Sequence, residues 1–143
     1  MSLYAGQDRE AMREAWRVAW RRHLERAPLE PLQAQMADLI AMHPEYHAHM
    51  PASGAAESGD GAAADAAASG FLHLSLHLAL REQLATDRPR GIAQIHRRLA
   101  ATHGDAHAAE HRMIEVLGQT LWAAQRATRL PDEQQYLEAL RRL

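Results

Sequence analysis

The sequence predicts an all-α fold, a bundle of five or six mostly antiparallel helices forming one domain over residues 1–143. Three observations predict it. β-Branched residues, which favour strands, are scarce: two Val, four Ile and four Thr. Alanine, the strongest helix former, occurs thirty times. Most prolines fall where helices begin or end rather than inside apolar periodic segments.

The first helix is expected over about Asp8–Arg26, closed by Pro28. The second starts at Glu30–Pro31, with proline suited to the first helical position. It ends near Met42, because Pro44 disfavours helical geometry at His43. Residues 51–70, "PASGAAESGDGAAADAAASG", have little to bury and read as a low-complexity mobile loop.

The third helix turns on "FLHLSLHLAL", residues 71–80. Its leucines alternate, which is the period of a half-buried strand. Yet it lacks β-branched residues and runs into "REQLAT" without a turn signal, so a helix over Phe71–Thr86 is expected. Leucine on nearly every side marks a buried helix. The choice matters for His73 and His77. In a strand they stand about 13 Å apart; in a helix they lie one turn apart, about 6 Å. The fourth helix follows over Gly91–Thr102. The fifth opens with Asp105 as N-cap and reaches about Thr128. The sixth starts at Pro131, with acids in its first turn and "LRRL" at its end, matching the helix dipole.

The fifth helix carries an apolar stripe through Ile114, Leu117, Leu121 and Ala124. Extended backwards, the stripe meets Glu110, His111 and His107, so polar groups are aimed where leucines would be expected. Buried polar groups need partners. His43 and His47 lie at the end of the second helix, and His73 and His77 at the start of the third. His107 and His111 lie at the start of the fifth. Short connections between antiparallel helices bring all three H-x-x-x-H pairs to one end of the bundle. Neutral imidazoles at i, i+4 on helices suit a transition metal such as Zn, Fe, Ni or Mn. The expected ligands are His43, His47, His73, His77, His107, Glu110 and His111. The pattern is neither the H-E-x-x-H of zinc proteases nor the paired E-x-x-H of di-iron bundles. His23 falls at the far end, and His96 has no assigned role. His49 and His103 are spare candidates. If the metal activated water, Glu110 or Glu45 would be the base.

A different function class fits the same residues. The histidines could form a metal-free polar network with Glu45, Tyr46 and Glu110 inside an interaction module. Met12, Trp16 and Trp20 form one stripe on the first helix, packing against the bundle or across a homodimer interface. Arg9, Arg13, Arg17 and Arg21 form a parallel basic stripe, read as a solvated face; with the tryptophans it could dock a partner. Net charge −2 and pI near 6.5 give no reason to expect nucleic acid or an anionic membrane surface. The absence of cysteine excludes disulfides and Fe–S clusters. No apolar run approaches the ~20 residues of a membrane span, and the N-terminus lacks a signal peptide's apolar region. The chain therefore reads as a cytoplasmic protein.

Four segments carry a resemblance: "HPEYH" (43–47), "FLHLSLHLALREQLATDRPRGI" (71–92), "AEHRMIEVLGQTLWAAQR" (109–126) and "PDEQQYLEAL" (131–140). Together they resemble a small proteobacterial family, domain of unknown function 1841. Ser69-Gly70 stand where members carry Asn-Pro, and Val116 where members often carry Cys, so a thiol there is not required. The resemblance implies no activity, substrate or cofactor.

Overall fold

The structure is a computed structural model that describes residues 2–50 and 61–143, with side chains described over 8–50 and 66–143. It is all-α: the described residues form six α-helices and one 3₁₀ helix, with no strand among them. The helices are α1 (Ser2–Leu24), α2 (Pro31–Ala41), the 3₁₀ helix Pro44–His49, α3 (Gly61–Thr86), α4 (Ile92–His103), α5 (Ala106–Arg126) and α6 (Glu133–Arg141). Contacts group the chain into two compact units, Met1–Leu74 and Ser75–Leu143, with α3 running through both.

α3 begins ten residues before the expected Phe71, and the expectation of a loop over 51–70 fails for 61–70. "GAAADAAASG" is poor in packing surface but rich in alanine, whose propensity favours helix in its own right. Without a proline before Phe71, nothing breaks the helix at Ser69-Gly70. Residues 51–60, the rest of the expected mobile loop, lie outside the described residues. α1 likewise begins before Asp8, at Ser2. His43 and His47 do not share α2. Met42 caps that helix, His43 follows in an extended link (φ −126°, ψ 70°), and His47 sits on the separate 3₁₀ helix. Pro44 explains the break, since it pushes His43 out of helical geometry.

In the first unit α1 packs on α2. Trp16, Ala19, Met36, Leu39 and Ile40 are buried. So is Arg17, only 1% exposed, which overturns the reading of the arginine stripe as wholly solvated. Its guanidinium lies over the Phe71 ring, 5.3 Å from the centroid, with Glu10 at 3.4 Å and Glu14 at 3.6 Å. Arg13 lies over the same ring at 5.3 Å. A delocalised, weakly hydrated cation tolerates such a site better than an ammonium would.

In the second unit α4 packs on α5, and α6 touches both. Leu80, Ile92, Leu99, Met113 and Leu140 are fully buried and pack with Ile95, Ala109, Ile114, Leu117 and Tyr136. Asp105 caps α5 as expected, accepting from the His107 backbone N–H at 3.0 Å. Asp132 caps α6, accepting from the Gln135 N–H at 3.1 Å. Among the described residues, no helix is long and apolar enough to cross a membrane.

Three helices end on a left-handed residue that is not glycine: Arg26 (φ 56°) after α1, Asp87 (φ 50°) after α3 and Thr128 (φ 54°) after α5. After α5, Arg129 N–H bonds Ala124 O at 3.0 Å and Thr128 N–H bonds Gln125 O at 3.2 Å. This pair of bonds is the Schellman closure, normally built on glycine. A β-branched side chain there is strained. Thr128→Gly should therefore raise unfolding stability by about 0.5–1 kcal/mol, strain relief exceeding the added chain entropy. Urea denaturation followed by circular dichroism measures it; a loss of stability would show that the Thr128 side chain is not strained.

Candidate metal centre

The site residues fall into two sets, one in each unit. In the first unit the last turn of α2 meets the extended link. His43 is buried, and its Nδ1 donates to Leu39 O at 2.6 Å. That bond fixes the tautomer and leaves Nε2 with its lone pair. His73, on α3, brings its own Nε2 to 3.2 Å from this nitrogen. Two imidazole nitrogens bound to one tetrahedral ion at 2.0–2.1 Å stand about 3.3 Å apart, so the pair is spaced as two ligands of one metal would be. His47 is turned elsewhere. Its Nε2 donates to Ile40 O at 2.9 Å and its ring lies 4.7 Å from Trp20. Trp20 in turn stacks on the exposed His23 at 5.0 Å.

Tyr46 closes this set, its ring centroid 5.6 Å from His43 and 5.8 Å from His73. Burial, together with the neighbouring Glu45 charge, pushes its phenol above the ordinary value. The ring approaches α3 where that helix has no side chain. A Cβ on Gly70 would sit 2.9 Å from Tyr46 Cδ1, closer than such atoms come, so glycine is what lets ring and helix meet. His49, the spare candidate, lies 6.2 Å from the Tyr46 ring.

In the second unit α3 contributes His77, fully buried, one helical turn beyond His73. Its ring centroid stands 5.5 Å from those of His107 and His111 on α5, which are 4.1 Å from each other. Glu110, 6% exposed, organises this set. Its Oε1 accepts from His77 Nε2 at 2.7 Å and from Arg81 Nε at 3.1 Å. Its Oε2 lies 3.3 Å from His96 Nε2. Burial alone would raise the Glu110 carboxyl; the His77 hydrogen bond and the Arg81 guanidinium outweigh it and lower it to about 2. Glu110 is thus held as a carboxylate. The His77 Nε2–H donates to it, which fixes the orientation of the buried ring.

The expected ligand set is therefore distributed as follows. His43 pairs with His73; His77 gathers with His107 and His111 around Glu110; His47 bonds a backbone carbonyl. His103 is exposed at the end of α4. Arg81 and His96 were missed by the sequence reading, although each had a signal. Arg81 is four residues from His77, and His96 four from the buried Ile92, so each shares a helix face with a core position. Glu45 is exposed. A carboxyl as acidic as that of Glu110 is a poor proton acceptor near neutrality, so its geometry suits holding His77 rather than acting as the base.

The family described as Domain of unknown function (DUF1841) matches residues 8–142. No curated protein and no solved structure matches the chain.

The Glu110 shift fixes the sign of an acid dependence. A carboxyl lower in the folded protein than its ordinary 4.5 adds stability that is present above pH ~4.5 and is lost as pH falls towards ~2. Glu110→Gln in metal-free protein should cost about 1–3 kcal/mol at pH 7 and flatten the loss of stability over that window. Urea unfolding at a series of pH values between 2 and 7 checks it; parallel wild-type and variant curves would contradict it.

Proposed function

The chain belongs to this family, whose description assigns no activity, and from its side-chain geometry we propose that it binds transition metal through two histidine sets, His43 with His73 in the first unit and His77 with His111 in the second, each residue able to offer one imidazole nitrogen. The observation that carries the reading is the His43–His73 pair, whose Nε2 atoms lie 3.2 Å apart while the Nδ1 of His43 is tied to Leu39 O. A further observation supports it. His77 is buried with its Nε2 tied to Glu110, which orients the ring as the partners of metal-bound histidines usually do. An all-imidazole donor set suits zinc and the later first-row metals and does not suit Mg or Ca.

Glu110 is read here as the residue that orients His77, and Arg81 as the cation that keeps Glu110 charged. His107, 4.1 Å from His111, packs beside a ligand. His47, bonded to Ile40 O, stands outside the ligand set.

Purified protein without an affinity tag should carry near-stoichiometric metal by elemental analysis. A chelator at pH 7 should then lower the melting temperature, because bound metal at a hundredfold excess over Kd contributes about 2.7 kcal/mol. His73→Ala and His111→Ala should each reduce that chelator-sensitive increment, and the exposed His23→Ala should leave it intact. Less than about a tenth of an equivalent of metal, with no uptake of added Zn, Ni, Fe or Mn, would overturn the proposal. Identical melting curves with and without chelator in metal-treated protein would do the same.

A further inference from the structure

A cavity of about 260 Å³ in the second unit is lined by Gly91, Gln94, Ile95, Arg98 and Arg141. Two guanidinium-bearing side chains thus line one small space, and no acidic residue does. Among the described residues, neither Arg98 nor Arg141 has a carboxylate within ion-pair distance, whereas the adjacent Arg142 reaches Glu138 at 3.9 Å. Two like charges sharing a recess without a counterion raise each other's energy, and an anion between them removes that penalty.

The recess is also shaped for one. Arg98 Nη2 donates to Arg141 O at 3.2 Å, which fixes its stem and head. Gly91 presents backbone rather than side chain, and a Cβ there would stand 3.7 Å from Arg141 Nη2. The nearby carboxylate of Asp87 is already engaged, accepting from the N–H groups of Gly91 and Ala93 at 3.1 and 3.0 Å. The flanking segment "DRPRGIAQIHRR", residues 87–98, holds four arginines against one acid. Ligand pockets for drug-sized molecules run from about 300 Å³ upward; this one is smaller and suits a compact oxyanion.

We propose that Arg98 and Arg141 form a binding site for a phosphate-type oxyanion, either free or as the terminal group of a small phosphate ester. Guanidinium groups recognise such oxyanions through paired, charge-assisted hydrogen bonds. Gln94 adds an amide donor at the rim.

Titration of the full chain with inorganic phosphate, at constant ionic strength maintained with chloride and followed by amide NMR, tests it. Saturable shifts are expected at Gly91, Arg98 and Arg141. Arg141→Gln should weaken the affinity about tenfold or more, as loss of one charge-assisted contact implies. Arg98→Gln, which also removes the bond to Arg141 O, should weaken it at least as much, with circular dichroism confirming that both variants are folded. Arg142→Gln, whose charge is already paired, should bind as wild type. Glucose 6-phosphate at least as tight as phosphate would assign the site to an ester; tighter phosphate would assign it to the free ion. Non-saturating shifts, shifts equalled by chloride, or unaltered affinity in folded Arg141→Gln would overturn the proposal.

Discussion

The buried carboxylate of Glu110 is the interaction on which the candidate centre of the second unit depends. An ionised group inside a helical core is expensive unless donors and opposite charge surround it. Here His77, Arg81 and His96 approach its two oxygens, each from a different turn or helix. Satisfying Glu110 therefore fixes the rotation of α3 and the facing of α4 and α5 together. It also fixes which nitrogen of His77 is protonated. A hydrophobic residue at position 110 would pack as well, but it would leave His77 Nε2 without its partner.

The first unit solves the same problem with backbone. Leu39 O takes the Nδ1 proton of His43, and Ile40 O takes a proton from His47. Both carbonyls lie in the last turn of α2, where helical amides run short; Ile40 O also accepts from the His43 backbone N–H at 3.0 Å. The helix end and the histidines thus satisfy each other. The extended link forced by Pro44 is what carries His43 to that position, and the absent side chain of Gly70 is what lets Tyr46 close over it.

Much of this was legible in the sequence, and what was not has physical causes. The α-class, the Asp105 cap, the start of α2 and the burial of His77 followed from propensity, capping chemistry and leucine crowding. The early start of α3 was hidden because low apolar content was weighed above alanine's helix propensity. The placement of His47 was lost because a 3₁₀ turn after Pro44 changes the angular spacing that an α-helix would impose. Arg17 was misread because an arginine stripe looks solvated until Phe71, fifty-four residues away, supplies a ring for it to cover. The helix ends at Arg26, Asp87 and Thr128 were invisible to a rule that looks for glycine.

The histidine geometry makes a specific claim about what surrounds a bound ion, and X-ray absorption at the metal edge reads that most directly. For protein loaded with zinc, the account expects a first shell that contains nitrogen scatterers at about 2.0–2.1 Å, with the outer-shell pattern of imidazole rings, and reduced imidazole scattering in His73→Ala. A first shell of oxygen alone, or a spectrum unchanged by His73→Ala, would contradict it.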